Sequence, residues 1–486
     1  MAKIVIVGGG VAGLSAGIYS RMAGHDVVIC ERHFLAGGNL TGWSRGGYHI
    51  DNCIHWLTGT NENSSLYKMW CELGALGEGV NIVQESALFS CERGGVRVSL
   101  PPSLSELRDN MLAVSPEDME EIDRLVRAID FIAGADNIAG EGCNEGMTAK
   151  RLLSGLGPIM KYYSLTTGQL AKCFKNPALQ CFITGFWGDD FSAVALIFVF
   201  ATFCQKNGAL PEGGSVKMAE RMTDKFLSLG GRIRLKCEAV KVDLDGNRAK
   251  SVSFADGSVE EADYVVLTTD PAVTFGKILD LPMPKKLQKY YDNPKMRRFS
   301  AYHFAYAVDS ESLPFVGDLI FDVPEELVSE LGTKQLIVRG FSHEPTFAPE
   351  GKNIIQTLTF CFDEGAMDFI RLREADREGY SRKKERLAGI LQELIEEHCP
   401  TLHGKLRLID GWTPATYNRF VNSEMGSFMS FAIPEKHLPI AMNGIIEGYD
   451  NIILATQWQQ SPGGLPIAAS SGKLAAERII KLENRK

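Results

Sequence analysis

Several features are missing from this sequence, and each absence argues against a class of protein. No uncharged apolar run reaches the roughly 20 residues that span a bilayer, and the nearest is residues 192–204. The 11 cysteines are odd in number and include no C-x-x-C pair, which argues against a disulfide framework and a zinc site. No H-E-x-x-H or Ser-His-Asp pattern occurs, and we expect no metal. With 51 basic against 60 acidic residues, a net charge of −9 and no basic block with interleaved aromatic residues, the chain is not expected to bind nucleic acid.

What is present is the composition of an ordinary globular protein. Hydrophobic residues make up 45% of the chain and charged residues 23%. At 486 residues it is too long for one compact core, so two or three domains are expected. Cysteines of this pattern fit a cytoplasmic location. The apolar run 192–204 predicts a buried core helix, with two alternatives: a helix that lines an apolar cavity, or one that dips into a membrane surface. Peripheral membrane contact therefore stays open.

The most informative motif is a strand that runs directly into a glycine-rich turn. Residues 3–7 (KIVIV) read as a short apolar strand, followed by Gly8-x-Gly10-x-x-Gly13 and a helical pattern. Gly8 permits the tight turn, Gly10 lets the backbone approach a pyrophosphate, and Gly13 lets the helix pack closely on the sheet. The N-terminus of that helix then faces the anion, so the motif predicts a dinucleotide-binding turn.

A second strand supports the same prediction. Residues 26–30 (DVVIC) form an apolar run that ends at Glu31, at about the spacing where a carboxylate accepts a hydrogen bond from an adenosine ribose. A glycine-rich turn in an unrelated fold is the alternative, but strand, glycines, helix, second strand and acid occur here in order. Gly140-x-Gly142 does not provide a second dinucleotide motif, because it lies in a helical, acidic region without a preceding strand.

The sequence pattern changes character several times, which indicates two domains built from interleaved segments. Residues 1–105, 206–275 and 406–486 combine short apolar strands, glycine-rich turns and helices. Residues 106–205 are mainly helical and rich in aromatic side chains, and residues 276–405 alternate strands with an amphipathic helix. We therefore predict one domain from the first three segments and a second domain from the other two.

Further motifs occur along the chain, and together they carry a resemblance to a known superfamily. They are Glu31-Arg32 with Gly37-Gly38; Gly47-Tyr48-x-x-Asp51 with His55; Pro211-x-Gly213-Gly214-Ser215; Gly230-Gly231; Thr413-Pro414-x-Thr416-x-x-Arg419; and Pro462-Gly463-Gly464-Leu465-Pro466 with Ser471-Gly472-Lys473. This set resembles the flavin-dependent amine oxidase and phytoene desaturase superfamily, most closely its carotenoid desaturase, isomerase and retinol saturase branch. The combination is specific for the superfamily and much less specific for the substrate.

The resemblance implies a fold and a cofactor. The fold is expected to be α/β, with a discontinuous, glutathione-reductase-like (Rossmann-type) FAD-binding domain and a mixed α/β substrate-binding domain. FAD is expected to stretch from the first glycine turn to the C-terminal one, with the backbone of Val240 against the adenine. The residues implied to hold FAD are Gly8, Gly10, Ala12, Gly13, Glu31, Arg32, Gly38, Asn39, Val240, Gln457, Gly464 and Leu465.

Three positions depart from the superfamily pattern. Cys53 stands where a glycine is usual, and Asn39 where an arginine often stands. Residues 456–460 (TQWQQ) replace a segment that is commonly rich in glycine, which predicts that the Trp458 indole lies close to the flavin. These departures concern the substrate end and leave the prediction of FAD binding unchanged.

The function implied by the resemblance is that of an FAD-dependent oxidoreductase. It would add or remove hydrogen across carbon–carbon bonds of an apolar small molecule, of which an isoprenoid or polyene is one class, as a desaturase or saturase does. Three alternatives stay open: a flavin amine oxidase, a redox-neutral isomerase that uses reduced FAD, and a non-catalytic FAD-containing carrier. Oxygen, a quinone, a carrier or transiently bound NAD(P)H could exchange electrons with the flavin, and the oligomeric state is not indicated.

Two residues are candidates for catalysis, and three others invite a structural interpretation. His55 could act as a general acid or base, since imidazole titrates near neutral pH, or could simply shape the cavity wall through local hydrogen bonds. Trp458 could stack on the flavin or pack in the core. Asp51 is expected to fix the backbone, Cys53 to act as a small buried hydrophobe, and Arg419 to be structural rather than substrate-binding.

Overall fold

A parallel sheet of five strands forms the first half of the structure, a computed structural model that describes residues 1–134, 157, 159–437 and 440–485. All its neighbouring strands run parallel. In spatial order they are Arg232–Arg234, Asp26–Cys30, Lys3–Val7, Tyr264–Leu267 and Ile452–Leu454. Because the strands come from three distant parts of the chain, the predicted discontinuous α/β fold is confirmed.

The strands of this parallel sheet are apolar because both faces are covered. On one face Ile4 and Ile6 pack against three helices, Val11–Met22, Gly214–Ser228 and Leu465–Glu483. On the other face the sheet packs against a three-stranded antiparallel sheet, whose strands are Ala239–Asp245, Arg248–Phe254 and Val259–Glu261. The carboxyl ends of the parallel strands are left as the open edge.

A seven-stranded sheet organises the second half of the structure. In spatial order its strands are Arg407–Trp412, Phe299–Asp309, Lys352–Phe362, Gln335–Gly340, Asp318–Asp322, Phe89–Arg93 and Val96–Ser99. Neighbours are antiparallel except Asp318–Asp322 and Phe89–Arg93, which run parallel. Helices Asp363–Ala375 and Arg377–His398 pack on one face of this sheet.

A helical layer packs on the other face of the seven-stranded sheet. Phe89, Ile320 and Leu358 of the sheet share one core with it. Its helices are Leu104–Val114, Met119–Ala133, Thr167–Ala171, Pro177–Thr184 and Ala193–Cys204. No helix in the described part of the chain is long and apolar enough to cross a membrane.

The pairing in the seven-stranded sheet differs from the predicted segment boundaries. Strands Phe89–Arg93 and Val96–Ser99 fall inside the predicted segment 1–105, yet they pair into this sheet because Phe89 lies opposite Asp318. Strand Arg407–Trp412, inside the predicted segment 406–486, pairs with Phe299–Asp309. The division between the two sheets therefore lies before Phe89 and after Trp412. The motif at 140–142 lies outside the described residues.

The remaining elements are short and connect these layers. The small strands are Gly42–Arg45, Tyr48–Asp51, Leu57–Thr58, Ile82–Val83 and Gly208–Pro211. The further helices include Ser65–Glu72, Lys285–Tyr291, Glu325–Leu331 and Pro414–Val421. The last of these helices lies beside the open edge of the parallel sheet, because Ser423 just beyond it donates to Asp270, which follows strand Tyr264–Leu267.

Candidate cofactor and substrate site

One elongated cavity of about 1070 Å³ begins at the carboxyl ends of the parallel strands and extends between the seven-stranded sheet and the helical layer. This is where open α/β sheets bind their ligands. One end is lined by the first glycine turn and Glu31, the middle by residues 37–39 and 463–465, and the far end by His55 and aromatic side chains. The predicted site residues all line this cavity except Gly13 and Val240.

The first glycine turn and the loop at residues 37–38 present bare backbone to the cavity. An added Cβ on Gly38 would lie 3.1 Å from the Gly10 Cα, so the two loops meet without room for side chains. The Gly37 N–H donates to the Gly9 carbonyl at 2.8 Å and holds them together. Gly13 faces away from the cavity, where an added Cβ would lie 2.0 Å from the Gly8 carbonyl oxygen. Gly13 therefore has the close-packing role predicted for it, and it is not among the residues that line the cavity.

Glu31 lies at the end of its strand as predicted, with its side chain buried against the glycine turn. One carboxylate oxygen accepts from the Gly9 N–H at 2.6 Å and the other from the His33 N–H at 2.8 Å. Each oxygen keeps a second lone pair for a ligand hydroxyl. Arg32 also lines the cavity, and its Nε lies 3.8 Å from Oε1 of Glu238.

Val240 is not among the residues that line the cavity, so its predicted position against the adenine stays a prediction. The strand pairing shifts register between Ala239 and Lys241, so Val240 has no opposite residue, and its side chain is 45% exposed. The cavity wall is formed instead by residues 237–239. A register shift of this kind depends on the partner strand and leaves no mark in the local sequence pattern.

The C-terminal glycine turn and residue 39 gather around one carbonyl oxygen. The Phe428 carbonyl accepts from Gln457 Nε2 at 3.1 Å and from Asn39 Nδ2 at 3.4 Å. Gln457 Oε1 in turn accepts from the Gly464 N–H at 2.9 Å, at the N-terminus of helix Leu465–Glu483. Asn39 Oδ1 is buried and has no hydrogen-bond partner among the described residues. A bound polar group at this point would satisfy that oxygen.

The far end of the cavity is an aromatic chamber. We give this name to the space lined by Trp56, Phe186, Trp187, Phe191, Phe198, Phe360 and Phe428. The Trp187 indole stacks on Phe191 with ring centroids 4.6 Å apart and on Phe360 at 5.6 Å. The predicted aromatic region between 106 and 205 supplies several of these side chains, whereas Phe360 and Phe428 carried no sequence signal because they come from a distant strand and loop.

Helix Ala193–Cys204, which contains most of the apolar run, combines two of its three predicted roles. Leu196 and Phe200 are buried in the core of the helical layer. Phe198 and Val199, on another face, line the cavity. The helix is therefore both a core helix and a wall of the aromatic chamber.

His55 lies on the cavity wall in front of a buried ion pair. Its Nδ1 is 3.6 Å from Oδ2 of Asp318, and its side chain is 25% exposed. Asp318 is opposite Arg339 in the sheet register, with Arg339 Nε 3.9 Å from the other carboxylate oxygen. The Nδ1 atom of His55 and Oδ2 of Asp318 have no hydrogen-bond partner among the described residues, so each is free to move the short distance towards the other. Asp318 can therefore orient the imidazole and stabilise it when protonated.

A second histidine in the cavity, His303, has the opposite environment. Its Nδ1 lies 3.1 Å from the Thr357 carbonyl, which only accepts, so Nδ1 carries the proton. Its Nε2, which then carries no proton, lies 3.1 Å from the Tyr417 hydroxyl, and that hydroxyl accepts from the Trp412 indole N–H at 3.1 Å. Burial, followed by the nearby charge of His55, lowers the pKa of His303 to about 3. His303 is therefore neutral, and sequence reasoning had found no role for it.

Asp51 has the structural role that the sequence suggested. Its carboxylate accepts from the Ser215 N–H at 2.6 Å, the Ser215 hydroxyl at 2.5 Å and the Cys53 N–H at 3.0 Å. Two of the sequence motifs are thus joined at one carboxylate, which fixes the loop that carries His55. Burial raises the pKa of the Cys53 thiol, so that this cysteine is a neutral thiol.

Trp458 is a packing residue in the structure. Its side chain is 3% exposed, stacks on Tyr291 with ring centroids 5.9 Å apart, and meets Phe431 edge to face at 5.0 Å. Trp458 is also among the residues that line the cavity. Its ring contacts with described residues are those of a core side chain, and its catalytic role stays a prediction.

The geometry of the cavity fits an extended dinucleotide such as FAD. The bare backbone cradle at Gly10 and Gly38 leaves room for a diphosphate, and the carboxylate of Glu31 stands at one end. The unpartnered Asn39 oxygen and the N-terminus of helix Leu465–Glu483 lie in the middle of the cavity, towards the aromatic chamber. A helix N-terminus there stabilises negative charge on the bound group.

Comparison with known proteins agrees with this geometry. The chain is similar to 4,4'-diaponeurosporene oxygenase of Staphylococcus haemolyticus, with 22% identity over 99% of this chain and 97% of that protein. It is also similar to the chloroplastic prolycopene isomerase of Daucus carota, with 24% identity over 87% of this chain and 71% of that protein. For the lycopene-forming phytoene desaturase of a Paracoccus species, identity is 23% over 88% of this chain and 86% of that protein.

Solved structures show the same fold. An oxidoreductase from Methanosarcina mazei is 15% identical with a TM-score of 0.63, covering 99% of this chain and 100% of that chain. A putrescine oxidase is 16% identical with a TM-score of 0.62, covering 99% of each chain. The family described as flavin containing amine oxidoreductase matches residues 11–480. The chain belongs to this family, and it is an oxidoreductase with FAD as its cofactor.

Proposed function

We propose that this flavoenzyme adds or removes hydrogen across carbon–carbon bonds of a polyene held in the aromatic chamber. The observation that carries the proposal is the chemistry of the chamber wall, which consists of aromatic rings and the apolar face of helix Ala193–Cys204. The carboxylates among the described cavity-lining residues are Glu31, Glu238, Asp270 and Asp410, none of which belongs to the chamber.

The relatives support the class of substrate. Those described above are named for diaponeurosporene, prolycopene and phytoene, all of them carotenoids. A long apolar chain gains roughly 25 cal/mol for each Å² of surface that the chamber removes from water. Flat aromatic walls also match the flat π-system of a conjugated chain, because offset stacking adds to area burial.

Different residues have different roles at this site. When bound, FAD supplies a two-electron acceptor and donor for hydride. The aromatic chamber holds the polyene and excludes water. With Nδ1 turned to Asp318, the Nε2 atom of His55 is the nitrogen left to exchange a proton with the substrate. Asp51 keeps the His55 loop in place through Ser215.

The apolar lining of the aromatic chamber argues against the alternative of an amine oxidase. A substrate ammonium in this chamber would be desolvated without a carboxylate among the seven residues that define the aromatic chamber to pair with it. An isomerase is distinguished from a desaturase by its product rather than by its cavity. Because the relative from Daucus carota is named as a prolycopene isomerase, the test also looks for an isomerised product.

The test is incubation of the purified holoprotein with polyenes of increasing conjugation, under oxidising and reducing conditions. We expect a shift of the polyene absorbance bands, with a product whose mass differs by two hydrogens. A shifted spectrum with unchanged mass would indicate an isomerase. No change with any polyene, together with anaerobic flavin reduction by amines, would refute the proposal.

A pair of variants separates the chamber from general stability. Phe198→Asp puts a carboxylate into the chamber wall, and we expect it to abolish polyene turnover while FAD stays bound. Leu227→Asp is the control, because Leu227 is 47% exposed and does not line the cavity. Equal activity of Phe198→Asp and Leu227→Asp would show that the polyene lies elsewhere.

A further inference from the structure

Five cationic side chains that line the cavity lie close to one another. We call them the basic mouth: Arg32, Arg373, Arg377, Lys384 and Arg419. Three of them, Arg32, Arg373 and Arg419, also line an adjoining cleft of about 270 Å³. The basic mouth is assembled from the loop after Glu31 and from three different helices, so separate parts of the fold direct positive charge to one place.

These cations lack counterions in the described part of the chain. No described carboxylate lies within ion-pair distance of Arg373, Arg377, Lys384 or Arg419, although Glu374 lines the cleft beside them. Arg32 has only the 3.8 Å approach to Glu238. In a chain of net charge −9, such a group of unpaired cations is not explained by composition.

Arginines elsewhere on the same helices behave differently. Arg371, two residues before Arg373, pairs with Glu364 and Asp368. Arg386, on the helix that carries Arg377 and Lys384, donates two hydrogen bonds to the Glu330 carboxylate in a bidentate ion pair. On these two helices, Arg371 and Arg386, which do not line the cavity, are thus paired with carboxylates, whereas the cavity-lining arginines are not.

The cations of the basic mouth repel one another. Burial, followed by the charges of Arg373 and Arg377, lowers the pKa of Arg419. Burial also lowers the pKa of Lys384, with Arg419 adding to the effect and Asp410 opposing it. Holding like charges together without a partner destabilises the fold, so a ligand with more than one negative charge would relieve it.

The basic mouth adjoins the dinucleotide end of the cavity. The Phe420 ring, next to Arg419, meets the His33 ring edge to face with centroids 5.4 Å apart, and His33 is held by Glu31. The glycine loops at 37–38 and 463–464 contain no cationic side chain, and residue 39 is a neutral asparagine. Arg45 also lines the cavity but pairs with Asp410 at 3.1 Å, so the unpaired positive charge available to a diphosphate is that of the basic mouth.

We propose that the basic mouth binds the diphosphate group of a dinucleotide. Guanidinium groups suit this ligand because their planar N–H pairs match phosphate oxygens. The diphosphate has two sources: FAD itself, or a second dinucleotide, such as a nicotinamide electron donor, that visits the basic mouth. The proposal does not depend on the identity of the substrate in the aromatic chamber.

The experiment compares three holoproteins: wild type, the double variant Arg373→Gln/Arg419→Gln, and the control Arg371→Gln. One measurement is the rate of FAD release after dilution, at low and high salt. The other is calorimetric titration of each holoprotein with inorganic pyrophosphate, NADH and NADPH. Losing two charge-assisted contacts should weaken diphosphate binding at least about ten-fold.

Each outcome has a defined meaning. Faster FAD release in the double variant alone assigns the basic mouth to the diphosphate of FAD. Unchanged FAD release with loss of pyrophosphate or NADPH binding assigns it to a second dinucleotide. The proposal is overturned if the double variant matches Arg371→Gln in both measurements.

Discussion

Replacing Gly38 by alanine tests where the cofactor diphosphate lies. Gly38 has φ +61°, a conformation that costs a residue with a side chain roughly 1–2 kcal/mol. The new methyl group would also lie 3.1 Å from the Gly10 Cα, so the two loops must separate by a few tenths of an ångström. Because those loops form the backbone cradle, we expect FAD affinity to fall by about ten-fold, equivalent to about 1.4 kcal/mol.

The matched control for Gly38→Ala is Gly24→Ala. Gly24 has φ +84°, so its replacement carries a similar backbone strain, but nothing lies within 4 Å of the added Cβ. Both variants should melt a few degrees lower than wild type, at about 2–4 °C for each kcal/mol. Only Gly38→Ala should lose FAD, measured as the flavin-to-protein ratio and by fluorescence titration. If Gly38→Ala retains FAD as well as Gly24→Ala does, the cradle does not face the cofactor.

Three further predictions concern the substrate end. Asp51→Ala should lower stability by about 3 kcal/mol, because it leaves the buried N–H and hydroxyl of Ser215 without an acceptor. The melting temperature measures this loss of stability, which should be smaller for Asp51→Asn. Asp318→Asn should keep FAD bound yet slow polyene turnover about ten-fold or more in single-turnover assays, since it removes the charge behind His55. The pKa of His303 is lowered to about 3, so this side chain stays neutral in the folded protein but gains a proton when the protein unfolds at pH 5. Acidification from about pH 7 to pH 5 should therefore lower the free energy of unfolding by about 2 kcal/mol, and melting curves of His303→Gln should lack this part of the pH dependence.

The cofactor end of the site could be predicted because its geometry is local. The strand, glycine turn, helix and Glu31 lie in one unbroken segment, and each position has a backbone task that restricts the residue type. Gly13 is an example, because its motif position predicted a close-packing role and an added Cβ there would lie 2.0 Å from the Gly8 carbonyl oxygen.

The sequence is least informative where the geometry depends on a distant partner. Nothing in the residues of strand Phe89–Arg93, which was predicted to belong to the first domain, shows that Asp318–Asp322 will pair beside it. Nothing in the residues around Val240 shows the register shift that pairing with strand Arg248–Phe254 produces. A sequence pattern reports which residues are buried, but it does not report which strand lies next to them.

The substrate end shows why motifs identify the cofactor more readily than the reaction. His55 and His303 are both cavity histidines, yet a buried carboxylate faces one and a carbonyl and a phenol face the other. Those partners come from separate strands and can change without altering the glycine turns. The residues that decide the chemistry should therefore be sought in the partners of these two histidines and in the aromatic chamber, rather than in the motifs that bind FAD.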